Sequence, residues 1–130
     1  MIASLISLIS ASVLMASAGP AVSLSPFDGW WNQEASECSD PESSTNLDIQ
    51  GTKVVGYEWG GDVIAVQWAD ERNATADLDF WDINLTDADE RPIVRRQSWR
   101  LSMSRDDENL TIRVNAYEPQ TYVRCRRNRL

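Results

Sequence analysis

The stretch Pro92-Ile93-Val94-Arg95-Arg96-Gln97-Ser98-Trp99-Arg100-Leu101-Ser102-Met103-Ser104-Arg105-Asp106-Asp107-Glu108-Asn109-Leu110-Thr111-Ile112-Arg113-Val114-Asn115-Ala116-Tyr117 decides the fold. Ile93, Arg95, Gln97, Trp99, Leu101 and Met103 alternate with Val94, Arg96, Ser98, Arg100, Ser102 and Ser104. A polar turn, Arg105 to Glu108, follows, and alternation resumes through Leu110, Ile112, Val114 and Ala116. Period-two patterning on both sides of such a turn predicts an antiparallel hairpin with one buried face. Pairing Ser104 with Asn109 sets Met103 against Leu110, Leu101 against Ile112 and Trp99 against Val114. All the apolar partners then share a face, whereas a one-residue slip would expose them.

The same pattern extends outward. Leu47 and Ile49 alternate with polar residues between Thr45 and Gln50, and a Gly51-Thr52 turn leads into Lys53 to Trp59. Gly60-Gly61, flanked by Trp59 and Asp62, reads as a tight two-residue turn. That turn would place Tyr57 opposite Ile64, Val55 opposite Val66 and Lys53 opposite Trp68. A strand from Ala74 to Leu85 breaks the alternation: Leu78 and Phe80 have one parity, Trp81, Ile83 and Leu85 the other. A β-bulge at Phe80-Trp81 would bring all five to one side, with Leu78 meeting Trp99 and Asp77 meeting Arg100. The last strand spans Gln120 to Arg126.

The expected class is therefore all-β: an antiparallel meander of seven or eight short strands. Closure into a small up-and-down barrel is preferred because it removes unpaired edges; a two-sheet β-sandwich is the alternative. The expected organisation is a signal peptide over 1–18, an extended leader over 19–26, the barrel domain over 27–126 and a basic tail over 127–130. The signal peptide helix is read from the uncharged apolar run Ile2 to Met15 followed by Ala16-Ser17-Ala18, which puts cleavage after Ala18. The run is shorter than the roughly 20 apolar residues that a membrane span needs. The cysteines, Cys38 and Cys125, suit an oxidising compartment and a disulfide stapling the first strand to the last. Two unpaired buried thiols are the alternative. Export to the periplasm or the extracellular space follows, with no stable membrane insertion after cleavage.

Composition excludes much chemistry. The chain has no histidine, which removes Ser-His-Asp and Cys-His catalysis, histidine-ligated zinc and a histidine pH switch. No glycine-rich phosphate cradle is present. A net charge of −8 disfavours nucleic acid. Lys53 and Arg72 are the basic residues before Glu90, and the arginines otherwise lie from Arg91 onward. The acidic turns Asp87 to Glu90 and Asp106 to Asn109 lack the calcium-loop pattern, and neither a metal site nor a cofactor is expected. Arg100 and Arg113 should lie opposite each other on the outer face, an unfavourable arrangement unless an anion or carboxylate shares them. Asp77 is the internal candidate, and an acidic partner or free anion the external one.

Six tryptophans in so short a chain stand out. Trp59, Trp68, Trp81 and Trp99 fall at expected inward positions, and Arg95 and Gln97 share the inward parity of the central strand. They are the candidate ligand-binding residues at a barrel mouth, although bulky rings also simply fill a narrow barrel. An inward arginine must sit near a mouth, be paired, or belong to a site.

Phe27-Asp28-Gly29-Trp30, Cys38 and Tyr122-Val123-Arg124-Cys125 together resemble small bacterial exported proteins that open with a G-x-W-type segment and close with Y-x-R-C. The shape is similar to lipocalin-like barrels. The expected function is an exported, non-enzymatic β-barrel binding a small apolar ligand or a protein partner. Two alternatives are a secreted protease-inhibitor-like protein that inserts the Gly19–Ser25 leader, and a structural envelope component.

Overall fold

The computed structural model describes residues 22–126; the expected signal peptide, its cleavage site and the basic tail lie outside them. The described chain is a closed antiparallel barrel of eight strands, each hydrogen-bonded to the next in sequence order. The strands are β1 (Gly29–Asn32), β2 (Leu47–Gln50), β3 (Lys53–Gly56), β4 (Trp59–Asp70), β5 (Asn73–Thr86), β6 (Pro92–Met103), β7 (Asn109–Val114) and β8 (Gln120–Arg124). Closure comes from β1 on β8, where Trp31 meets Arg124 and Asn32 meets Val123. Cys38, in a 3-10 segment Ala35–Ser39 after β1, is bonded to Cys125 just past β8, with Cα atoms 5.5 Å apart. The bridge thus fastens the chain beside the closing seam.

The β6–β7 hairpin has the register that its alternation dictates. Met103 faces Leu110, Leu101 faces Ile112, Trp99 faces Val114 and Arg100 faces Arg113. The Ser104 N–H donates to the Asn109 carbonyl at 2.9 Å. On the other side of β6, small residues of β5 stand opposite large ones: Ala76 faces Trp99 and Ala74 faces Leu101. Close packing inside a narrow barrel demands this matching of volumes.

Two expected registers are corrected. The β3–β4 turn falls at Tyr57-Glu58, with Glu58 at φ 66, and Gly56 pairs with Trp59, Val55 with Gly60 and Lys53 with Asp62. Gly60 and Gly61 therefore lie within β4, not in a turn. Their missing side chains serve packing: a Cβ at Gly60 would stand 2.6 Å from the Trp81 ring, and one at Gly56 would overlap the Trp59 ring. The second correction concerns β5. Pairing runs without interruption through Asp79–Arg96, Phe80–Arg95 and Trp81–Val94, so no bulge occurs at Phe80-Trp81. The irregularities of the β4–β5 ladder lie at Val63/Ala65 and Trp68/Asp70 instead. Leu78 consequently faces Gln97 and Asp77 faces Ser98. Trp81 keeps the parity opposite to Leu78 and Phe80 and lies on the outer surface.

One barrel end is plugged. Leu24 and Phe27, around the 3-10 turn Ser25–Phe27, are fully buried. The Leu24 N–H donates to the Gly51 carbonyl at 2.8 Å, and the Phe27 ring packs 5.1 Å from the Trp68 ring. Trp31 Nε1 donates to the Phe27 carbonyl at 3.0 Å, while the Arg124 guanidinium stacks 4.2 Å from the Trp31 ring centre. Leu24, in the described end of the leader, is thus part of the core. Above the plug the lumen is filled by Leu47, Ile49, Val54, Leu78, Leu101 and Leu110, each at most 1% exposed.

Strand lengths are unequal: β4, β5 and β6 have 12, 14 and 12 residues, whereas β1, β2 and β3 have 4 each. The β4–β5 ladder ends where Trp59 meets Asp82, yet β5 and β6 stay together as far as Thr86 and Pro92. A two-stranded ribbon therefore projects past the end opposite the plug.

Candidate functional site

At that end the inward parity of β4, β5 and β6 brings three aromatic rings together. The Trp59 ring lies 5.5 Å from Phe80 and 6.2 Å from Trp99. Trp99 Nε1 donates to Gln97 Oε1 at 2.9 Å, which fixes the indole and satisfies a half-buried amide oxygen. Arg95 stands opposite Phe80 at the rim and is exposed to solvent. Of the expected site residues, the fold brings Trp59, Arg95, Gln97 and Trp99 to one mouth. Trp68 sits at the plugged end against Phe27, and Trp81 lies outside over Gly60. Phe80 joins the cluster because β5 runs unbulged.

The ribbon beyond this mouth presents a set of apolar side chains that sequence reasoning did not assemble. Ile83 is 53% exposed, Leu85 42%, Ile93 37% and Val94 58%, with Tyr57 of the adjoining β3–β4 turn at 39%. Grouped apolar exposure on a small domain marks an interaction surface, unlike scattered single residues. The turn braces the ribbon: the Ile83 N–H donates to the Glu58 carbonyl at 3.0 Å, and Asn84 Nδ2 donates to Glu58 Oε2 at 3.0 Å. The Glu58 carboxylate beside it pushes the Tyr57 hydroxyl above its ordinary pKa, with Glu42 adding to the effect. Below the turn, Trp30, Pro41, Asn46, Asp48, Val55 and Tyr57 line an open cleft of about 380 Å³ on the outer wall. The signal in the sequence was the length of the β5 and β6 patterns relative to their neighbours.

The charged residues sort into structural and unpartnered groups. Asp106 holds its own turn by accepting from the Ser104 hydroxyl and the Glu108 N–H, which lowers its pKa. Asp87 likewise accepts from the Asp89 and Arg91 N–H groups. Asp107 pairs with Arg72, and Asp79 with Arg96 at 2.9 Å. Among the described residues, no group of three or more His, Cys, Asp or Glu side chains could hold a metal ion. Arg100 and Arg113 do face each other. Asp77, expected to share them, makes no ion pair with either, because the true register places Ser98 opposite it. The two arginines border a shallow concavity of about 190 Å³ with Thr75, Ser98 and Asn115.

The described barrel thus carries three clustered aromatic rings at one mouth, exposed apolar side chains on the β5–β6 ribbon, and two facing arginines on its outer wall without a carboxylate partner. No helix among the described residues is long and apolar enough to cross a membrane. Compared with known proteins, the chain matches no family model, no curated protein and no solved structure.

Proposed function

We propose that this is an exported, non-enzymatic β-barrel that binds a protein partner through the projecting β5–β6 ribbon and the adjoining mouth. The observation that carries the reading is the gathering of Ile83, Leu85, Ile93 and Val94 on a ribbon outside the barrel, while the lumen behind it is packed with side chains. A deep ligand calyx needs an empty interior, whereas a partner surface needs exposed apolar area on a rigid support. The Cys38–Cys125 bridge agrees with folding in an oxidising compartment. Leu24, in the described part of that segment, is buried in the core, so an inhibitor that inserts it is the less favoured alternative.

The test is recovery of partners from the exported fraction of the protein's own host with wild-type protein, Ile83→Ser and Leu85→Ser. The reading expects a specific partner to be held by wild type and lost from both variants. Equal recovery by all three would end it. A second reading, a small apolar ligand stacked at the mouth, draws on the Trp59–Phe80–Trp99 cluster. That reading expects tryptophan quenching by an added apolar compound, abolished in Trp59→Ala, with no dependence on Ile83.

A further inference from the structure

We infer that the partner supplies an extended acidic segment that pairs with the open edge of β6 as an added strand. This rests on the partner-binding reading above and specifies how the partner is held.

The β6–β7 ladder stops where Trp99 meets Val114. The chain then turns away at Asn115, which has φ 52. The Asn115 N–H donates to the Ser98 carbonyl at 2.7 Å, and its Oδ1 accepts from the Ser98 N–H at 2.9 Å. Ser98 therefore directs both backbone groups to the β7 side. In an antiparallel strand this direction alternates residue by residue, so Arg96 and Val94 point theirs the same way. β7 has left that side, and in the closed barrel the other neighbour of β6 is β5. The β5–β6 ladder is regular as far as Trp81–Val94 and irregular beyond it, so two donor–acceptor sets, those of Val94 and Arg96, remain on an exposed edge, the template used in recognition by strand addition.

Charge selects the occupant. Arg95 and Arg96 lie along the edge, and Arg100 and Arg113 stand beside its inner end. Arg96 is neutralised by Asp79, but among the described residues Arg95, Arg100 and Arg113 have no carboxylate within ion-pair distance. A second copy pairing here would set this arginine-rich strand against itself, and like charges directly opposite are unfavourable. Charged side chains and Pro92 are also the usual protection of an edge against its own kind. The same charges admit an acidic strand.

Direction follows from the geometry. A strand antiparallel to β6 begins near Gln97 and ends near Pro92. Its first half lies by Arg95, Arg100 and Arg113, and its second half by Ile93 and Val94. Asp87, Asp89 and Glu90 at the ribbon tip repel carboxylates from the far end. The segment is therefore acidic in its N-terminal half and apolar in its C-terminal half.

The probes are ten-residue peptides with glutamates alternating in the first half and valines in the second, a reversed-order set, and a set with lysine for glutamate. They are added to the disulfide-bonded protein, and amide hydrogen exchange is followed residue by residue. The inference expects slowed exchange at the Val94 and Arg96 amides with the first set, and at least tenfold weaker binding for the other two. Val94→Pro removes an amide that faces away from β5, so the barrel should keep its exchange protection while binding falls tenfold or more; Val94→Thr, which also alters the side chain but keeps the amide, should bind more tightly than Val94→Pro. If Val94→Pro fails to fold, peptides N-methylated at alternate residues apply the same test. Unchanged exchange at Val94 and Arg96, no binding at millimolar peptide, or equal binding of the lysine set would overturn strand addition. Partner recovery that depends on Ile83 but survives Val94→Pro would overturn it while leaving the ribbon as the binding surface; dependence on neither would overturn both.

Discussion

Trp81 lays its indole across Gly60, its partner on the neighbouring strand, so closely that a Cβ there would come within 2.6 Å of the ring. A large ring on the outer wall of the barrel is thus accommodated by the absence of a side chain on the strand beneath it. Gly60→Ala should destabilise the protein by about 1–3 kcal/mol, the usual cost of overpacking. Trp81→Ala in the same chain should recover part of that loss, because it vacates the space. Urea unfolding of the two single variants and the double variant measures the coupling; strict additivity would contradict the contact.

The Cys38–Cys125 bridge spans a sequence separation of 87 residues. In the chain-entropy model a loop of that length stabilises by about 4–5 kcal/mol. Replacing both cysteines by Ser should lower the unfolding free energy by an amount of that order, and a reducing agent should reproduce the effect in the wild type. A loss under about 1 kcal/mol would mean that the unfolded chain keeps its ends together without the bridge.

Arg100 and Arg113 face each other with no carboxylate between them. Their mutual repulsion should appear in a double-mutant cycle with Gln as an unfavourable coupling of about 0.2–1 kcal/mol. It should shrink as salt rises toward molar concentration, where screening is short-ranged. An attractive coupling would reveal a shared anion.

Acid should loosen the turns at the plugged end. The Arg72 N–H and the Asn73 amide hold the Asp70 carboxyl below its usual pKa, and the Ser104 hydroxyl and Glu108 N–H do the same for Asp106. A carboxyl whose folded pKa is depressed contributes stability that is fully present above its unfolded value, about 3.9, and lost as pH falls through the folded value. Urea midpoints should therefore drop below about pH 4. Asp106→Asn should flatten part of that slope, and an unchanged slope would count against the Asp106 contribution.

The fold was legible where alternation and turn agreed. In Pro92 to Val114 each residue's parity and the polar turn specify one register, and that register is the one observed. Where the sequence offers two explanations for one residue, pattern alone misled. Gly60-Gly61 fits a tight turn, but the glycines make room for neighbouring rings, a fact that depends on where Trp81 lies in space. The bulge expected at Phe80-Trp81 assumed that every large apolar residue faces inward; Trp81, Ile83 and Leu85 do not. For the same reason the ribbon surface went unseen, because exposure of Ile83 depends on β4 ending its ladder at Asp82. The Leu24–Phe27 plug is one short turn, too brief to carry a period.

Photo-crosslinking in the protein's own host shows whether the ribbon meets a partner. A photoreactive side chain is placed at Leu85 on the ribbon and, as control, at Thr121 on the exposed outer face of β8. Both sites are exposed, so each variant should keep wild-type stability within about 0.5 kcal/mol. A partner-binding ribbon should give one dominant protein adduct from position 85, reduced at least tenfold by adding Ile93→Ser, and none from position 121. Equal adducts from both positions, or none from the ribbon, would contradict a partner-binding ribbon.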